Sequence, residues 1–144
     1  LRASQVALLA TPPIVTGYGV FIQRVNISLR EQDLKFPDLP KALDGLRIAQ
    51  LTDIHLSPFL SERELARAVD MANETRPHLS LVTGDLITSA QDPLDDCLRQ
   101  LARLRAEVGV FGCLGNHEIY ANAEDYVEER GARLGMRFLL QRFY

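Results

Sequence analysis

The fold is decided by the stretch Leu46-Arg47-Ile48-Ala49-Gln50-Leu51-Thr52-Asp53-Ile54-His55 and by its two downstream echoes. Leu46 to Leu51 is a short, largely apolar run of the kind that forms a strand inside a sheet, and it closes on polar residues. The same event recurs twice toward the C-terminus: Leu79 to Thr83 runs into Gly84-Asp85, and Val108 to Leu114 into Gly115-Asn116-His117-Glu118. Helical patterns fill the intervals. Ser61 and Glu64 have capping-box spacing, and behind them Leu65, Ala68, Val69 and Ala72 share one helix face, with Pro77 as the stop. Asp92 is expected as an N-cap with Pro93 at the first helical position, ahead of the stripe Leu94, Cys97, Leu98 and Leu101. Asn122 is expected to cap a third helix carrying Tyr126, Val127 and Leu134, ended by Gly135 before Met136 to Leu140. Strands alternating with such helices predict an α/β fold, a mostly parallel sheet flanked by helices and joined by right-handed crossovers.

The chain has 144 residues, 47% of them hydrophobic and 24% charged, which suits one folded domain and excludes a disordered or fibrous chain. A net charge of −3 gives no surface for a phosphate backbone, so no nucleic-acid partner is expected. Cys97 and Cys113 are too few for a disulfide framework and read as small core residues. Ala3 to Gln23 carries no charge and is close to the length that crosses a bilayer, but Pro12-Pro13, Gly17 and Gly19 interrupt it. Residues 1–24 therefore form a charge-free segment with two open readings. One is the end of a membrane-anchoring region, making the protein membrane-associated; the other is an irregular segment packed on a cytoplasmic domain. Residues 25–144 form the domain itself. Val25, Ile27 and Leu29 alternate, so Val25 to Phe36 is expected as a half-buried strand ended by Pro37. The start at Leu1 and the closing run Gln141-Arg142-Phe143-Tyr144 suggest a piece of something longer.

In open α/β sheets, ligands bind beyond the carboxyl ends of the strands. All three polar groups sit there. Asp53 and His55, two apart on extended chain, would face the same side and share one ion. Asp85 has two oxygens with which to bridge two cations, and Gly84 frees the backbone to turn. Asn116 offers an amide oxygen to the second ion. Such donors suit Mn, Fe, Zn or Co. Two metals about 3.5–4 Å apart can deprotonate a bridging water and clamp a phosphoryl oxygen. His117 would then donate to the phosphate or protonate the leaving oxygen. Each motif alone is also an ordinary turn or capped loop; three at matching strand ends make the case for a metal site. His78, at the amino end of its strand, reads as a solvated loop histidine.

Asp53-x-His55, Gly84-Asp85 and Gly115-Asn116-His117-Glu118, in this order and spacing, resemble the first three signature blocks of the calcineurin-like metallophosphoesterases, over about Leu46 to Leu140. The lead-in Leu43-Asp44-Gly45-Leu46-Arg47-Ile48 resembles a bacterial branch whose catalytic domain often follows membrane-anchoring segments. The resemblance implies the first half of a four-layer α/β/β/α sandwich, cut short at its C-terminus. It implies two divalent metal ions and hydrolysis of a phosphomonoester or phosphodiester by a bridging hydroxide. Asp53 and His55 would bind the first metal, Asp85 would bridge, Asn116 would bind the second, and His117 would be catalytic. Two departures stand out. Many members carry an aspartate three residues beyond the Gly-Asp block to orient the catalytic histidine; here that residue is Thr88. The family's later Gly-His-x-His block has no counterpart, since the histidines are His55, His78 and His117. The expectation is therefore a phosphatase or phosphodiesterase fragment, weakly active alone on a phosphorylated small-molecule or lipid substrate. The alternative is a non-catalytic protein-interaction scaffold of the same fold.

Overall fold

The three apolar runs that end in polar groups, and the segment after Gly135, become strands in the computed structural model, which describes residues 3–21 and 26–139. The strands β1 (Ile48–Leu51), β2 (Leu79–Thr83), β3 (Gly109–Cys113) and β4 (Met136–Phe138) lie side by side in chain order, every neighbouring pair parallel. Right-handed crossovers in an unbroken 1-2-3-4 order put every connecting helix on one face of the sheet. The helices obey this: α2 (Glu62–Glu74) packs on α3 (Leu94–Leu101), and α3 on α5 (Glu124–Arg133). The fold is α/β, as the alternation of runs predicts.

Register sorts the side chains. Ala49, Ser80, Val110 and Met136 form one rung, and Leu51, Val82, Gly112 and Phe138 another on the same face. These rungs join Leu65, Val69, Leu98, Leu101 and Val127 in the core. Phe138 fits because two neighbours lack side chains: a Cβ would lie 2.5 Å from its ring at Gly112 and 2.6 Å at Gly131. The opposite face carries the rung Gln50, Leu81, Phe111 and Arg137. Among the described residues, no helix of the strand-bearing unit covers it. Ile48 is 51% exposed there, and the Arg137 guanidinium sits 5.8 Å above the Phe111 ring. Parallel sheets are ordinarily buried on both faces. One covered and one bare face is consistent with half of the sandwich that the resemblance implies.

Two compact units divide the chain, Leu1–Arg30 and Glu31–Tyr144. In the first, Ala3–Phe21 is one helix, α1, running through Pro12 and Pro13 where the sequence suggested an interruption or an irregular segment. The prolines remove two ladder donors without ending the helix. Leu8, Leu9, Ile14 and Val15 on it are exposed, and no helix among the described residues is long and apolar enough to cross a membrane.

Other expectations need correction. Residues 26–36 form no strand: they find no partner ladder, and Leu29, Leu34 and Phe36 are exposed. Val25, Leu140 and the closing Gln141–Tyr144 run lie outside the described residues. The Ser61–Glu64 capping box forms as expected. α3, however, starts at Leu94 with Pro93 as its cap, because the Asp92 carboxylate turns back toward residues 88 and 89. α5 starts at Glu124 after Ala123, and Asn122 takes a left-handed φ of 51° in a short link from an additional helix, α4 (Asn116–Tyr120). Cys97 is fully buried, its thiol pushed up to about 12 by desolvation, whereas Cys113 is exposed at the end of β3 rather than in the core. His78 does more than meet solvent: its Nδ1 accepts the Arg47 amide at 2.9 Å.

Ser80 Oγ is buried without a hydrogen-bond partner, a desolvation cost of about 1–3 kcal/mol. Ser80→Ala should therefore raise stability by about 1 kcal/mol, read as a higher urea midpoint at unchanged slope. Asp95 ties α3 to α5: Arg130 Nε donates to it at 2.6 Å and Tyr126 Oη at 3.0 Å. The Arg130 hydrogen bond chiefly holds its carboxyl below the ordinary value. A lowered folded value means stability present above the unfolded value and lost as pH falls through the folded one. Urea midpoints at about pH 5 and about pH 2 should converge more in Asp95→Asn than in the parent chain.

Candidate metal centre

A parallel sheet brings the carboxyl ends of its strands to one edge. Asp53 and His55 come after β1, Gly84 and Asp85 after β2, and Gly115 leads from β3 into α4. Pairing continues beyond the strands: the His55 amide donates to the Asp85 carbonyl at 2.8 Å and the Leu56 amide to Leu86 at 2.9 Å. Asp53, His55 and Asp85 have φ of 51°, 48° and 51°. That left-handed region is uncommon for a residue with a Cβ, and costs of order 1–3 kcal/mol persist only where the surroundings enforce them.

At Asp85, Glu118 does much of the enforcing. It is completely buried. Its Oε1 accepts the Leu86 amide at 2.7 Å and the Ile87 amide at 3.4 Å. Its Oε2 accepts the Asp85 amide at 2.9 Å and the Gly115 amide at 2.8 Å. One ionised group thus satisfies main-chain donors from both loops, with charge-assisted bonds stronger than neutral ones. Two glycines let the loops touch. A Cβ on Gly84, whose φ is 82°, would fall on the Gly115 backbone, and one on Gly115 would fall on the Asp85 carboxylate.

Held this way, Asp85 divides its oxygens. Oδ1 accepts the His117 amide at 3.2 Å, and Oδ2 lies 3.8 Å from His55 Nε2. The two imidazoles meet edge to face, 4.7 Å between centroids. Ligand atoms of His55, Asp85 and His117 all lie within 4.8 Å of one another, half-buried and open to solvent. His117 Nδ1 is 2.8 Å from the Thr88 carbonyl; a carbonyl only accepts, so Nδ1 carries the proton and Nε2 is the free nitrogen. One carboxylate and two imidazoles at this separation fit a borderline divalent cation such as Zn, Mn, Fe or Co.

The remaining candidates stand differently. Asp53 is exposed, its Oδ2 accepting the Thr52 hydroxyl at 2.6 Å, and it is not one of the three converging groups. The chain at Asp53 and His55 is left-handed rather than extended, so strand alternation does not put their side chains on one side. Asn116 is exposed as the first residue of α4. Glu118 belongs to the third motif, yet residue type and position alone assign it no role. Gly115-x-x-Glu118 has the same spacing as the Ser61–Glu64 box, and that signal would have found it. The Thr88 carbonyl, being main chain, leaves no such mark.

The family profile for calcineurin-like phosphoesterases matches residues 46–142. The chain belongs to that family. It is 30% identical over 128 residues to a "transmembrane protein with metallophosphoesterase domain" of Danio rerio, covering 88% of this chain and 29% of the relative. It is 29% identical over 116 residues to the UDP-2,3-diacylglucosamine pyrophosphatase LpxG of Chlamydia muridarum, covering 80% and 35%. An uncharacterized metallophosphoesterase of Campylobacter jejuni is 28% identical over 129 residues, covering 88% and 34%. The chain thus spans about a third of the length of these relatives. No solved structure matches.

Glu118→Gln tests the anchor. The amide keeps the shape but turns an NH2 group toward N–H donors, leaving buried groups unpaired. It should lower stability by about 1–3 kcal/mol in urea unfolding, against no change if the carboxylate only fills space.

Proposed function

We propose that this chain carries the metal-holding strand ends of a phosphoester hydrolase, which acts on a phosphomonoester or phosphodiester through a dinuclear centre. The observation that carries the reading is the meeting of His55, Asp85 and His117 within 4.8 Å at the carboxyl edge of the sheet. His55 and Asp85 would hold the first ion, with Asp53 turning in to join it. Asp85 would reach the second ion as well, beside Asn116. When bound, such ions lower the pKa of water and withdraw charge from phosphoryl oxygens.

The chain's own groups do the rest. The Asp85 loop, fixed by Glu118, keeps one carboxylate oxygen on the His117 amide and the other toward His55. His117, held at Nδ1 by Thr88, presents Nε2 to the substrate. In its protonated form that nitrogen can hydrogen-bond a phosphoryl oxygen and hand its proton to the departing oxygen as the P–O bond breaks. Water supplies the new P–O bond. The pyrophosphatase named among the relatives makes a phosphorylated lipid a reasonable substrate class, and the relative named as a transmembrane protein supports membrane association. The charge-free α1 would be the point of attachment.

Calorimetric titration with Mn²⁺ tests the reading. The chain should bind the ion, Asp85→Asn should bind at least about tenfold more weakly, a loss of about 1.4 kcal/mol, and hydrolysis of an aryl phosphate should be slow because only part of the site is present. Absence of Mn²⁺ binding in the unsubstituted chain would instead favour the interaction-scaffold reading.

A further inference from the structure

Thr88 touches both histidines of the site. Its carbonyl accepts from His117 Nδ1 at 2.8 Å, and its Oγ1 lies 3.5 Å from His55 Nδ1. Thr88 is itself held by Asp92, which in the sequence has the look of a helix cap. Asp92 Oδ2 accepts the Thr88 amide at 3.0 Å, the Ser89 amide at 2.7 Å and the Ser89 hydroxyl at 3.2 Å. The Asp92 amide donates back to the Ser89 carbonyl at 3.1 Å. On the upstream side, the Leu86 and Ile87 amides end on Glu118. Thr88 therefore stands between two carboxylate anchors, one holding the chain just before it and one holding Thr88 and Ser89.

We infer that Asp92 is a positioning residue. By closing the turn from Thr88 to Asp92 it aims the Thr88 carbonyl at His117 and the Thr88 hydroxyl at His55. The carbonyl keeps a proton on His117 Nδ1, so Nε2 is the nitrogen that faces the site and takes up or gives away the second proton. Tautomer matters here because a nitrogen that binds a metal or accepts a proton needs its lone pair, and the opposite ring nitrogen sets which one has it. A carbonyl performs this orientation without adding a negative charge beside the site, which a side-chain carboxylate at residue 88 would do. The inference rests on the proposed roles of His55 and His117, but its physical content is a tautomer and is measurable without them.

The test uses long-range ¹H–¹⁵N spectra of the histidine rings in the metal-free ¹⁵N-labelled chain, at a pH where both rings are neutral. The unsubstituted chain should show neutral His117 with protonated Nδ1 and bare Nε2. Asp92→Ala should shift His117 toward a mixture of tautomers and weaken Mn²⁺ binding by about 10–100-fold. Asp92→Asn, which can still accept the two amides, should restore both. Thr88→Val keeps the carbonyl and loses the hydroxyl, so it should move the His55 signals and leave those of His117. A His117 that carries its proton on Nε2 in the unsubstituted chain overturns the inference. So do unchanged His117 signals in a folded Asp92→Ala chain, whatever its stability. Should Asp92→Ala fail to fold, the parent tautomer and Thr88→Val still decide. The expected tautomer without any Mn²⁺ binding would sink the functional reading while leaving the positioning role intact.

Discussion

Glu118 lies wholly inside the protein with a carboxylate at its tip, and four main-chain amides from two separate loops converge on it. A buried anion is tolerable only where donors replace its water, and here the donors belong to the segments that have to be held. The exchange is mutual: the loops solvate the carboxylate, and the carboxylate fixes the loops. Asp85 sits in a left-handed conformation as a consequence, with one oxygen on α4 and the other facing His55. The glycines at 84 and 115 make the contact sterically possible. Remove the anion and the strained conformation at residue 85 loses the support that offsets its cost.

The architecture was legible because parallel α/β folds write themselves in apolar period and turn residues. The runs ending at Leu51, Thr83 and Leu114 become strands, the third closing at Cys113; the Ser61 box becomes a helix start, and Gly135 ends α5 with a φ of 85°. Val25 to Phe36 misled for a physical reason. Alternation describes a strand with one face buried, but a strand also needs a neighbour to share its hydrogen bonds, and sequence does not reveal which segments go without. Asp92 and Asn122 misled because short polar residues satisfy several kinds of turn. Asp92 folds back on residues 88 and 89, and Asn122 takes the left-handed bend.

The site was half legible. His55, Asp85 and His117 stand out by their strand-end positions, and the structure brings them together. The groups that hold them in place did not stand out, since Glu118 acts through main-chain amides and Thr88 through its carbonyl. Backbone partners carry no residue-type signal. The aspartate absent at position 88 looked like a loss for His117, yet the carbonyl of the same residue accepts the proton that a carboxylate would have accepted. The bare face of the sheet, with Ile48 and Phe111 on it, has the character of a surface made for a further layer, in keeping with a chain that spans a third of its relatives.

The proposed function depends on His55, Asp85 and His117 being cation ligands or their immediate partners. The most direct measurement is an anomalous difference map at the manganese edge from crystals of this chain soaked in Mn²⁺. The expected result is a peak at the carboxyl edge of the sheet, within about 2.0–2.3 Å of an Asp85 oxygen and of His55 Nε2. A map with that edge empty, or with its peak on surface carboxylates remote from Asp85, would contradict it.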